Sequence, residues 1–198
     1  MEALPENPRG KSLLSALFGH SPFLTQAALR EPDMIRSFAQ SGPDLAWERF
    51  WSALTSQLAP VRDQNEAMRL LRIAKRRAAL LIALADIAGL WSLDQVTKAL
   101  SNLADLAVDT SLALLLRQFH LAGDIALTSP DDPVQESGII VIAMGKLGAF
   151  ELNYSSDIDL IVLYDQTCHP GAEDSLGAAV VRLTRQLVRM LEERTGDG

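Results

Sequence analysis

The sequence predicts an α+β protein, mainly helical, with a small mixed sheet toward its C-terminal end. Three observations predict it. Apolar residues recur at helical spacing through the first two-thirds of the chain, where strand signals are absent. Residues 129–138, SPDDPVQESG, combine prolines, acids and a lack of periodicity, so they read as a loop or linker. Beyond them, 139–144 and 157–164 are continuous apolar runs of strand length, the pattern of central strands covered on both faces. The expected organisation is a helical module over 1–128, a linker over 129–138 and an α/β core over 139–198.

The helical elements can be justified in order. Ser12 precedes the apolar turn Leu13, Leu14, Leu17 and Phe18, which stops at Gly19, and Ser21-Pro22 restarts helix with a cap and a first-turn proline. Pro32 and Gly42-Pro43 break the next pieces, and a helix carrying Leu45, Phe50, Leu54 and Leu58 should end before Pro60. From 63 to 88, Leu70, Ile73, Leu80, Leu81, Leu84 and Ile87 mark a long helix closed by Gly89. Ser92 and Gln95 form a capping-box pattern that opens a second long helix running toward Gly123, and the two should pack antiparallel. After the strands, Leu176, Val180, Leu183, Leu187, Met190 and Leu191 mark one more amphipathic helix.

Composition bounds the function. A chain of 198 residues that is 48% hydrophobic and 22% charged is globular, and a net charge of -7 argues against nucleic-acid binding through bulk charge. The lone Cys168 allows no internal disulfide and fits a reducing cytosol. The N-terminus lacks the apolar stretch of a signal peptide. The most apolar run, 78–91, is too short for a bilayer and contains Asp86. A cytoplasmic protein with no membrane partner is expected.

The chemistry concentrates in IAMGKLGAFELNYSSDIDLIVLYD, residues 142–165. In a strand, Asp157 and Asp159 project to one face while Ile158 and Leu160 point to the other. Two such carboxylates repel unless a cation lies between them, and hard oxygen donors suit Mg²⁺. A basic side chain, or plain water at a strand mouth, would also satisfy them, and the bare tripeptide fits the solvated strand mouth better. Upstream, the strand runs into Gly145-Lys146-Leu147-Gly148, where backbone amides can approach an anion, and a short helix over about 149–153 could follow. No Gly-Lys-Ser/Thr stands at Walker spacing.

The order apolar strand, glycine turn, short helix, Asp-x-Asp strand resembles the nucleotidyltransferase superfamily of the DNA polymerase β type. The wording GKLG…ELNYSSDIDLI resembles the glutamine synthetase adenylyltransferase/adenylyl-removing family, as do LFGHSPFLTQAALREPDM and LRIAKRRAALLIALADIAGL earlier in the chain. The resemblance implies a nucleotidyltransferase core over 139–198. Asp157 and Asp159 would be its metal-binding, catalytic carboxylates for Mg²⁺, Gly145, Lys146, Leu147 and Gly148 its phosphate-binding turn, and Ser155 and Ser156 the pair ahead of the acids. It implies adenine nucleotide and phosphate as ligands, and glutamine synthetase and a PII-type signalling protein as partners. ELNYSSDIDLI resembles the half that removes AMP by phosphorolysis. The ATP-dependent adenylylating half and a non-catalytic docking module are the alternatives.

The sequence departs from the family at two places. Ala149-Phe150 stands where a Gly followed by a small or basic residue is more usual, and the chain reaches RTGDG where a strand with a third carboxylate would begin. It therefore looks like an incomplete piece with little activity of its own. Among other candidates, the stripes Arg69, Arg72, Arg76 and Arg182, Arg185, Arg189 fit solvated helix faces or steering of phosphate or an acidic partner. His20, His120 and His169 show no metal-ligand spacing, and Trp47, Trp51 and Trp91 read as helix packing. Glu151 fits a charge in the first turns of a short helix.

Overall fold

Prolines and short polar caps punctuate the first half of the chain, and helices begin where they stand. The computed structural model describes residues 8–169 and 173–193; the RTGDG stretch lies outside them. Helix α1 spans Pro8–His20, so Ser12 lies inside it rather than capping it. Helix α2, Pro22–Arg30, starts at Ser21, whose hydroxyl accepts the Leu24 amide at 3.2 Å. Helix α3, Pro32–Leu58, is two pieces joined at a kink: Gly42 takes φ 78° and ψ 173°, and Pro43 follows.

Helix α4, Gln64–Ile87, starts where the Asp63 carboxylate accepts the Glu66 amide at 2.9 Å. Helix α5, Leu93–Leu121, opens with the reciprocal Ser92–Gln95 capping box. α5 is long and apolar enough to cross a membrane by length and composition, yet its apolar residues pack against α4 and against α7, Glu173–Glu192.

Two apolar clusters result. The first joins α1 to α4 with the opening turns of α5, through residues such as Leu17, Phe50, Leu80, Leu84 and Val96. At its edge, Trp47 lies 5.8 Å from both Trp51 and Trp91, and the Trp91 indole donates to Asp44 at 2.8 Å. The second takes Ala67 and Met68 from α4, Leu112, Leu115 and Phe119 from α5, and Leu176, Leu183 and Met190 from α7. Ile125 and Ile139, on either side of the 129–138 loop, share that second cluster. His169 is buried beside the loop, 2.7 Å from the Ser137 carbonyl.

Some arginines of the basic stripes tie elements together. Arg76 and Arg77 both donate to the buried Glu31 carboxylate, each at 2.7 Å. Arg72 donates to the carbonyls of Met190, Leu191 and Glu193, closing the C-terminal end of α7. Arg69 pairs with Glu66, Arg182 with Asp124 and Arg189 with Glu193. Arg72 and Arg76 are thus engaged across elements, whereas Arg69 and Arg189 pair within or beside their own helices with 48% and 74% of the side chain exposed, as on a solvated face.

Among the described residues the sheet is one antiparallel pair, β1 at Ile139–Met144 and β2 at Asp159–Tyr164, rather than a mixed sheet. The register runs from Ile139 opposite Tyr164 to Met144 opposite Asp159. The described residues cover one face. Val141 and Val162 pack on the second cluster, whereas Ile140, Ile142, Met144, Ile161 and Leu163 are exposed. Continuous apolar runs predict cover on both faces, and the described helices supply it on one.

Candidate functional site

The site is built where β1 turns over to β2. Helix α6 spans Gly145–Gly148, so the short helix begins four residues before the expected 149–153, which is irregular. Gly145 has φ 55°, a conformation that penalises any side chain, and a methyl on it would lie 3.4 Å from Asp159 Oδ2. Gly148 packs back on β1 so closely that a methyl would meet the Ala143 carbonyl oxygen at 2.5 Å. Leu147 is buried and anchors the turn. The turn closes with Phe150 N–H donating to Leu147 O at 3.0 Å and Glu151 N–H to Lys146 O at 2.7 Å, which places Phe150 at φ 58°. Phe150 thus occupies a left-handed position with its ring about half exposed, and Glu151 lies beyond the helix, not in its first turns.

Strand β2 begins at Asp159, so Asp157 precedes it, although the alternation persists: Asp157 and Asp159 are exposed, Ile158 and Leu160 half-buried. Among the described residues neither aspartate side chain makes a hydrogen bond or ion pair. Lys146 instead donates to Ser156 Oγ at 3.4 Å. Ser156 in turn donates to Asn153 Oδ1 at 2.7 Å, and the same oxygen accepts the Ser155 amide at 3.1 Å.

Two contacts that the sequence does not announce tie this segment to the helices. The Leu152 amide donates to Ser101 Oγ of α5 at 3.3 Å, and Tyr154 donates its hydroxyl to Asp86 Oδ2 of α4 at 3.2 Å. Burial, and then the Asp86 charge, hold the Tyr154 phenol well above its ordinary value. Asn153 and Asp86 lie in stretches that carry the family resemblance, but nothing in the sequence assigns them these partners, and Ser101 carries no motif.

No group of three or more acid, histidine or cysteine side chains converges among the described residues. The donor set is therefore two carboxylates beside a glycine backbone. That set fits Mg²⁺, which commonly takes one or two carboxylates and completes its shell with water and phosphate oxygens.

The sequence profile of glutamate-ammonia ligase adenylyltransferases matches residues 11–198. The chain belongs to this family. It is 41% identical over 194 residues, 96% of its length, to a bifunctional glutamine synthetase adenylyltransferase/adenylyl-removing enzyme of Rhodopseudomonas palustris (strain HaA2), covering 19% of that relative. It is 39% identical over 201 residues to the like-named enzyme of Bradyrhizobium diazoefficiens, covering 20% of it. With the Brucella suis enzyme the figures are 38% over 200 residues and again 20%. The chain thus spans about a fifth of these adenylyltransferase relatives, and that fifth includes the glycine turn and the aspartate pair.

Proposed function

We propose that residues 139–193 carry part of a nucleotidyl-transfer site that removes AMP from a tyrosine of glutamine synthetase by phosphorolysis. The observation that carries the reading is the apposition of Gly145 and Asp159 Oδ2, which puts an amide-rich turn beside an unpartnered carboxylate. The turn offers backbone N–H groups to phosphate oxygens, and Lys146 adds a cation held near by Ser156. Asp157 and Asp159 would hold Mg²⁺, which when bound neutralises charge on the phosphorus under attack. An oxygen of inorganic phosphate forms a bond to the adenylyl phosphorus as the tyrosyl oxygen–phosphorus bond breaks, giving ADP and the unmodified tyrosine side chain of glutamine synthetase, whose phenolate takes up the proton the phosphate gives up. The wording ELNYSSDIDLI supports the removing direction, and a PII-type protein is the regulatory partner that the family resemblance suggests.

The test uses Asp157→Asn and Asp159→Asn. Each is expected to abolish the rise in melting temperature on adding Mg²⁺ while leaving the metal-free melting temperature nearly unchanged, because repelling acids contribute nothing favourable to the apo fold. A metal response retained in both variants would overturn the assignment. Phosphate-dependent ADP release from adenylylated glutamine synthetase, by this chain and by one extended to the relatives' length, separates removal from the ATP-dependent reaction. Weak release by the short chain is expected, since two carboxylates alone hold a metal loosely.

A further inference from the structure

Asp159 and Asp157 are held by different means. Asp159 sits in the β ladder opposite Met144, so sheet register places it. Asp157 lies outside the ladder, at the end of a segment, 151–158, that has no regular secondary structure. We propose that Tyr154 and Ser101 are positioning residues that fasten this segment to α4 and α5, so that the helical region sets where Asp157 stands relative to Asp159. The inference rests on the metal-dependent reading above.

Both attachments join distant parts of the chain. Ser101 is fully buried, where an unbonded hydroxyl is unfavourable; the Leu152 amide, itself on a buried residue, is its partner across 51 positions. Tyr154 reaches Asp86 across 68 positions. Since its phenol stays protonated far above neutrality, it remains a donor under all ordinary conditions. From there the fastening continues through Asn153 to Ser156 and on to Lys146 in the glycine turn. The segment is thereby gripped by the helices at 152 and 154 and by the turn at 156, immediately before Asp157.

Titration with Mn²⁺, following the free ion by electron paramagnetic resonance, tests this on the whole chain. Tyr154→Phe and Ser101→Ala should each weaken Mn²⁺ binding about tenfold, as loss of a group orienting a ligand does. Ser101→Thr should restore most of it, and Tyr154→Phe combined with Asp86→Asn should be no weaker than either alone. Tyr154 is about half exposed, so its variant removes the tie without opening the core. Wild-type binding that Asp157→Asn abolishes but Tyr154→Phe and Ser101→Ala leave unchanged would overturn the positioning role alone. Absence of binding by the wild type, or its persistence in Asp157→Asn, would overturn the metal reading and this inference with it.

Discussion

Helix α4 keeps Leu80, Leu81, Ile82 and Leu84 at no more than 2% exposure, whereas on the sheet Ile140, Ile142 and Leu163 keep 60%, 40% and 48%. The residue types are alike and their situations opposite. In the helical region apolar surface is used up in stabilising the fold, and the Glu31 carboxylate that joins helices is buried with Arg76 as a partner. On the sheet, exposed apolar side chains share a face with Asp159, and neither it nor Asp157 has a side-chain partner among the described residues. A region that closes on itself carries stability; one that leaves a face and two charges open is suited to chemistry.

Substitutions can break or sharpen this contrast. The largest effect is expected from Leu84→Ala, which should lower unfolding free energy by about 2–5 kcal/mol in urea denaturation. Ile142→Ala should change it by roughly 0.5 kcal/mol, as surface substitutions do. Similar losses from both would mean that the sheet face is covered in solution.

Next comes Glu31→Gln, which leaves Arg76 and Arg77 without their carboxylate. Arg76 is 13% exposed and Arg77 37%, so the Arg77 share is discounted for solvent screening, and a loss of about 2–3 kcal/mol is expected. Loss of under about 0.5 kcal/mol would show the pair to be only a surface contact.

Gly148→Ala should lose about 1–3 kcal/mol, because its methyl would enter the Ala143 carbonyl. It should also weaken Mn²⁺ binding by shifting the turn off Asp159, which separates it from Leu84→Ala, expected to reduce stability with metal affinity intact in the folded fraction.

The smallest effect is a pH dependence. With its folded pKa raised, Tyr154 keeps its proton in the folded chain where the unfolded chain releases it. Its contribution is therefore complete below about pH 10, the ordinary tyrosine value, and declines as pH rises above it. Tyr154→Phe should show a shallower alkaline loss of stability than the wild type; identical slopes would show that folding does not raise the Tyr154 pKa.

Much of the fold was legible because its signals are local. Ser21, Asp63 and Ser92 each cap a helix by accepting an amide three residues on, and Gly42-Pro43 interrupts α3 where it stands. The alternation Asp157, Ile158, Asp159, Leu160 follows from a period of two and survives although β2 starts only at Asp159. The short helix was misplaced because the glycines that favour a tight turn also began the helical one.

By itself, then, the sequence determined the class, the limits of the long helices, the glycine turn and the projection of the two aspartates to one side, all settled by neighbours within a few residues. Tertiary structure alone decided that Arg76 and Arg77 meet Glu31 across 45 and 46 positions, that Arg72 closes α7, and that Ser101 and Asp86 hold the segment before Asp157. It also decided which face of the sheet is covered. Periodicity states that a face is apolar and spacing states that a stripe is charged, but neither names the partner, because pairing at such separations depends on how whole helices pack.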